Sequence, residues 1–285
     1  AASASAAPAA PPGPSPVDGV LPPSGAVPAL ALRHDALPGC GPLAVPADVL
    51  AKLPEAAPVA VWEEALGDRG CVAFAKDDGT DLALVSIDGK AEVALAEAPG
   101  SKVVLDRRWR GVRASGGGVT LRGVAGARVV VAIATRSGEP IGKRRPGKAW
   151  FKRPGRAAPI DLAEQRDLAW GKGAYHARIG WTSAPDDMPS LVVDALVFSK
   201  DAPVAEHQHD KQWECLVAFD GAGELVVKGS GGAADATTAL APGAVACIPA
   251  GRLHRWAPSG KAPLVALQVY APPGPEQRFS KLAAP

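Results

Sequence analysis

Two stretches decide how this chain is read: Glu206-His207-Gln208-His209-Asp210-Lys211-Gln212-Trp213-Glu214, and Gly243-Ala244-Val245-Ala246-Cys247-Ile248-Pro249-Ala250-Gly251-Arg252-Leu253-His254. His207 and His209 are two apart, so on an extended strand their side chains share a face. Glu214 follows at a distance that leaves room for a turn and an antiparallel return. That geometry gathers two imidazoles and a carboxylate round one ion. In the second stretch a glycine opens a strand and a Pro-x-Gly turn closes it. His254 then enters the next strand as a fourth donor. Three of the five histidines fall in this pattern. His34 and His176 have no partner at ligand spacing and read as ordinary residues.

Outward from these stretches, composition sets the class. The 285 residues are 47% hydrophobic and 21% charged, enough apolar material for a packed core. Glycine (32) and proline (29) alternate with valine-rich runs, which favours many short strands joined by turns. A net charge of +2 gives no global field for nucleic acid or anionic lipid. The one basic cluster is local (Lys143, Arg144, Arg145, Lys148, Lys152, Arg153, Arg156). It is broken by Pro146 and Pro154, so it reads as a solvated connector. No run reaches the roughly 20 apolar residues of a membrane helix.

Residues 1–28 are Ala/Pro/Gly/Ser-rich and read as a flexible tether, because they bury too little to offset the entropy of ordering. A short helix is expected over 46–52. Strands are expected over 59–62, 71–75, 82–87, 91–95, 102–105 and 128–134, and a second strand-rich block over 174–270. The two blocks look alike: LVSIDG (84–89) matches LVAFDG (216–221), APG (98–100) matches APG (241–243), and ARVVVAIA (127–134) resembles APLVALQV (262–269). A tandem repeat of one β-domain is the expectation. In that register Asp106–Arg108 stands for Pro249–Gly251 and Gly111 for His254. Lys76, Asp77 and Asp78 precede the first block's strand, with no histidine nearby, so the first copy lacks a ligand set.

The two stretches resemble the paired motifs of the cupin superfamily, Gly-x5-His-x-His-x3–4-Glu-x6-Gly and Gly-x5-Pro-x-Gly-x2-His-x3-Asn. His207, His209, Glu214 and Gly221 match the first, with Asp201 at the leading Gly. Gly243, Pro249, Gly251 and His254 match the second, with Pro258 at the Asn. The motif pair covers about 50 residues and the barrel it implies roughly 110. The resemblance implies an all-β chain of tandem jelly-roll β-barrels behind a disordered Ala/Pro-rich tether. Its parts are the tether (1–28), a degenerate cupin-like domain without metal ligands (29–140), a basic connector (141–160) and a metal-binding cupin domain (161–285). It also makes neighbours of the strands carrying Cys215 and Cys247. The four cysteines, Cys40 and Cys71 included, stay open between free thiols and disulfides.

Three imidazoles and one carboxylate suit a divalent first-row ion (Mn, Fe, Ni, Cu or Zn) better than Ca²⁺ or Mg²⁺. The set leaves a net charge of +1 and two open octahedral positions, a match for a carboxylate or enolate. Beyond the ligands, Trp213, Arg252 and Tyr270 are the candidate substrate contacts, with Trp256 and Gln268 beside them. Glu206 and Asp210 alternate away from the ligand face. The leading expectation is a metal-dependent oxygenase, decarboxylase or isomerase acting on a small carboxylate or oxygen-rich substrate. The alternatives are a non-catalytic ligand-binding or structural cupin of the bacterial envelope, and a partner-binding protein using the basic connector. Expected partners are a small molecule and, through sheet pairing, a second copy of the chain, without nucleic acid. The opening AASASAAPAAPPGPSP, without Met, is what a trimmed exported protein would show. A periplasmic or envelope location is the expectation, with the cytoplasm as the alternative.

Overall fold

The structure is a computed structural model that describes residues 21, 30–36, 39–43, 45–74, 79–95, 102–115, 118–143, 156–181 and 190–283. The first half is built of β1 (Arg33–Ala36), β2 (Gly39–Leu43), helix α1 (Ala47–Leu50), β3 (Val59–Leu66), β4 (Gly70–Phe74), β5 (Thr80–Leu95), β6 (Lys102–Leu105), β7 (Arg110–Ser115), β8 (Val119–Thr135) and β9 (Arg156–Asp161). These strands form one sheet in the order β1-β3-β8-β5-β7-β9, with β4 also on β8, β2 on β4 and β6 on β5. The strands expected over 82–87 and 91–95 are two halves of one, β5. Its pairing with β8 is interrupted between Ser86 and Asp88 and again on to Ala91. At that bulge Gly89 takes φ +71°, and its N–H donates to Asp88 Oδ1 at 2.8 Å. A bulge bends and twists a strand without ending it, so β5 and β8 each serve both layers of the first barrel.

The second half contributes β10 (Leu168–Trp170), β11 (Tyr175–Ile179), β12 (Val192–Phe198), β13 (Val204–His207), β14 (Trp213–Asp220), β15 (Ala222–Val227), β16 (Ala236–Leu240), β17 (Val245–Ile248), β18 (His254–Ser259), β19 (Leu264–Ala271) and the C-terminal helix α2 (Gln277–Leu282). A six-stranded sheet, β10-β11-β12-β19-β14-β17, faces a four-stranded sheet, β13-β18-β15-β16. The β14–β19 ladder breaks between Ala218 and Asp220, next to Gly221 at φ +72°, as β5–β8 does beside Gly89. A Cβ on Gly221 would lie 2.1 Å from Pro263 O, so the close approach of strand and turn admits only glycine there.

Period-two alternation sorts the side chains into three cores. One face of β5, β8 and β3 fills the first barrel with Trp62, Leu84, Leu121 and Val131. One face of β12, β14 and β19 fills the second, with Leu196, Phe198, Leu216 and Ala218 among its members. The outer faces of the two large sheets meet in a third core, where Val61, Val85 and Val130 lie with Val193, Val217 and Leu267. Strand β3, VAVWEEAL, is buried throughout, and its two glutamates are paired, Glu63 with Arg128 and Glu64 with His34 and Trp62.

Leu21, within the stretch read as tether, is buried in that shared core. Residues 1–20 and 22–29 lie outside the described residues. So do 144–155, which hold most of the basic cluster. Lys143 pairs with Glu55 at 2.6 Å, and β9, at the connector's end, pairs with β7 of the first sheet. Both cysteine pairs are disulfides, Cys40–Cys71 and Cys215–Cys247. Each joins directly opposite residues of neighbouring strands.

Candidate metal centre

Strand β13 ends on His207, which is paired across the small sheet with His254 at the start of β18. His209 lies just beyond β13, where its carbonyl accepts a 2.8 Å hydrogen bond from Gly251 N–H. Gly251, at φ +74°, thereby ties the Pro-x-Gly turn to the His-x-His segment. Glu214 comes from the opposite layer, as the second residue of β14 between Ile248 and Tyr270. The chain does not return beside β13 in one sheet, as the spacing had suggested. It crosses the barrel, and the ligands converge from both layers. The four donor atoms lie within 4.8 Å of one another, three of the four residues being buried.

The donor set fits a metal ion. His207 Nδ1–H donates to Ala205 O at 2.8 Å and His254 Nδ1–H to Arg252 O at 2.9 Å. Each bond fixes the tautomer and turns Nε2 to the centre. His207 Nε2 is buried and has no hydrogen-bond partner among the described residues, a costly state for a polar atom and the one a ligating lone pair needs. Burial pushes the His207 pKa down to about 4, so that ring is neutral at pH 7. His209 Nε2 and His254 Nε2 approach Glu214 Oε2 at 3.0 and 3.1 Å, and Gln268 Nε2 donates to Glu214 Oε1 at 2.5 Å. Burial by itself would raise the Glu214 carboxyl, but the hydrogen bonds from His209 and His254 hold it well below the carboxylate range.

His254 shows how the metal-free site stores a proton. Burial disfavours its charge, yet the Glu214 carboxylate outweighs burial and raises its pKa above the ordinary histidine value. Both ring nitrogens then donate, Nδ1 to Arg252 O and Nε2 to Glu214. In the metal-free protein this contact contributes stability that is full below the ordinary histidine pKa and fades as pH rises through the raised one. A metal needs the Nε2 lone pair and must displace that proton. Metal affinity is therefore expected to fall about tenfold per pH unit below the raised His254 pKa. Calorimetric titration in two buffers of different ionisation heat, run at a pH below the raised His254 pKa, should report proton release on metal binding. Identical heats in both buffers would contradict this protonation scheme.

The remaining candidates divide. Tyr270 is fully buried, its ring edge-on to His209 at 5.2 Å, and its hydroxyl accepts from Arg278 Nη2 at 3.1 Å. Gln268 orients Glu214, and Trp256 stacks on Phe198 at 4.6 Å along a cavity that reaches His207. Trp213 does not face the centre. It precedes Glu214 on the same strand, so alternation sends it into the core between the barrels with Cys215 and Val217. Arg252 is also turned away: its carbonyl holds His254, while its guanidinium donates to Ser230 Oγ at 2.8 Å and to Lys228 O. The cation at the centre is Arg278 of α2, which borders two cavities, one reaching His207 and the other His209. It lies beyond both motifs, after a proline-rich turn, where spacing carries no signal. Glu206 lines the rim of the first cavity, 3.7 Å from Lys228. Asp194 is fully buried on β12, on the barrel-facing side with Leu196 and Phe198. Burial pushes its pKa well above the usual range.

Among the described residues the first barrel holds no such set. Leu84–Val131 pairs as Leu216–Gln268 does, which puts Leu82 where Glu214 stands. Leu95–Val119 pairs as Val227–His254 does, which puts Val119, not Gly111, in the place of His254. Gly111 instead opposes Val85 as Val245 opposes Val217. Trp109, at φ +71°, donates its N–H to Ser86 O just as Gly243, at φ +92°, donates to Ala218 O. The matching APG at 98–100 lies outside the described residues, ahead of β6, and misled the register. Phe74, opposite Val119, occupies the position of His207. Phe74, Leu82 and Val119 are all buried in the first barrel's core.

The sequence matches no protein-family model and none of the curated proteins. Among solved structures its fold is similar to oxalate decarboxylase from Bacillus subtilis. With a tryptophan-to-phenylalanine variant of that enzyme it shares 15% identity at a TM-score of 0.57, over 78% of this chain and 71% of that chain. With an arginine-to-alanine mutant the figures are 15% and 0.57, over 82% and 77%. Oxalate decarboxylases are two-barrel cupin proteins. This chain has the cupin fold, in two jelly-roll barrels, and the second brings His207, His209, Glu214 and His254 together as a set that could hold a metal ion.

Proposed function

We propose that the protein is a metal-dependent enzyme that takes a small carboxylate onto the ion of its second barrel, with decarboxylation the favoured reaction. The observation that carries this reading is the buried, unpartnered His207 Nε2 at the end of a cavity of about 350 Å³. A structural ion walled in by protein would have no such access. A bound first-row ion would supply Lewis-acid or redox chemistry beside that cavity. Mn²⁺ is the first candidate, because Mn(II) centres are described for the similar Bacillus subtilis enzyme.

The chain's own groups have separable roles. Ala205 O and Arg252 O aim two imidazoles, and Gln268 holds Glu214. Arg278, whose contacts are the Tyr270 hydroxyl and the Phe279 ring, adds positive charge for a carboxylate. Burial raises the Asp194 pKa well above the usual carboxylate range, which favours a proton on that side chain inside the barrel. The shared bulge geometry and the apolar residues at the ligand positions support a first barrel that is a copy of the second and has lost its metal. Two disulfides support a working place outside the reducing cytosol, in the periplasm or envelope.

The test is elemental analysis of protein purified without added metal, followed by carbon dioxide release from a panel of carboxylates with and without chelator. One first-row ion per chain and chelator-sensitive turnover are expected. A loaded protein that binds carboxylates yet turns over none belongs to the non-catalytic binding class instead.

A further inference from the structure

Resting on that metal-dependent reading, we infer that the substrate is an aryl-bearing monocarboxylate, its ring held in the cavity beside His207 and its carboxylate directed to the ion and Arg278. The chain is poor in aromatics, with 7 Trp, 2 Tyr and 5 Phe in 285 residues. Even so, Trp170, Tyr175, Phe198, Trp256 and Phe279 all line this one cavity. They come from β10, β11, β12, β18 and α2, so the fold concentrates what the sequence disperses.

The rings stand in near-parallel sets. Trp170 stacks on Tyr175 at 5.4 Å and 8° and on Phe279 at 5.5 Å and 19°, while Phe198 stacks on Trp256 at 4.6 Å and 15°. The sets meet edge to face, with Trp170 and Phe198 at 82°. Such walls offer a further flat ring both stacked and edge-on partners.

The chemistry of the lining is asymmetric. His207, Gln268 and Arg278 supply polar atoms where the cavity meets the metal centre, Glu206 stands at the rim 3.7 Å from Lys228, and Leu196 and Leu282 extend the aromatic wall. A ligand with one charged end and one apolar end satisfies both parts. A dianion such as oxalate fills little of about 350 Å³, and any carboxylate placed against the apolar wall would lose its hydration without a partner. Adjacent residues of α2 serve the two ends, Arg278 the carboxylate and Phe279 the ring. The second cavity, lined by His209, Lys211, Arg278 and Lys281, is polar and gives water and anions a separate approach.

The experiment titrates the metal-loaded full chain with benzoate, phenylacetate, 3-phenylpropionate, cyclohexanecarboxylate and oxalate, by calorimetry and by tryptophan fluorescence. At least one aryl acid is expected to bind about tenfold or more tightly than both oxalate and cyclohexanecarboxylate, and to change the emission of Trp170 and Trp256. Phe279→Leu, which keeps an apolar side chain without the ring, should erase most of that preference. Normal metal content and an unchanged unfolding midpoint of Phe279→Leu control for folding. Oxalate or cyclohexanecarboxylate binding as tightly as every aryl acid overturns the inference, as does a preference that Phe279→Leu leaves intact. Failure of the metal reading has a different signature: purified protein that holds no first-row ion, whatever ligand it takes up.

Discussion

Replacing Glu214 by alanine is expected to lower bound metal at least about tenfold and to destabilise the metal-free protein by about 3–5 kcal/mol. Glu214 is 1% exposed and is the hub of the site, bonded to His209, His254 and Gln268. Its removal takes away the one anionic ligand and leaves three polar groups facing a void. Truncating one member of a buried charged network costs more than the network contributes net, because its partners stay desolvated. Glu214→Gln should lose metal as fully but keep more stability, since the amide oxygen still accepts a hydrogen bond. His209→Ala should lower metal by a similar factor with a smaller effect on folding. Elemental analysis after dialysis, with urea unfolding of the metal-free forms, separates the two effects. Unchanged metal content in both His209→Ala and Glu214→Ala would remove the site from consideration.

The second large effect belongs to the Cys215–Cys247 disulfide. Replacing both cysteines by alanine is expected to cost about 3–4 kcal/mol, the loop-closure entropy for a sequence separation of 32. The bond ties β14 to β17 at the pair next to Glu214–Ile248, so it braces the strand that presents the carboxylate. Metal affinity should therefore weaken along with stability. Urea unfolding of the double variant beside the parent, both metal-free, reads the first quantity, and a competitive chelator titration reads the second. Coincident unfolding curves would mean that the strands hold this geometry without the cross-link.

The register of the two halves shows where pattern matching holds and where it fails. LVSIDG and LVAFDG align because Asp88-Gly89 and Asp220-Gly221 form the same bulge, a local backbone feature that needs an αL glycine and therefore leaves a mark in sequence. The second APG match is coincidence. The backbone position of Gly243 is filled by Trp109, whose left-handed conformation no composition rule would suggest. Trp213 went astray for a simpler reason: proximity in sequence to a ligand says nothing of side, and adjacent strand residues face opposite ways. Arg278 and Asp194 were invisible because their approach to the site is set by the packing of α2 and β12, not by any local pattern.

What the sequence determined alone was the ligand set and the fold that presents it. His207, His209, Glu214 and His254 sit at spacings dictated by strand periodicity and by a glycine-closed turn, both local properties of the chain. Tertiary structure alone decided what surrounds the candidate site: five dispersed aromatic residues lining the cavity that reaches His207, an arginine brought in by the last helix, and a second barrel packed sheet to sheet against the first. Those contacts join residues far apart in the chain, where the energy lies in packing and no short-range rule encodes the partner.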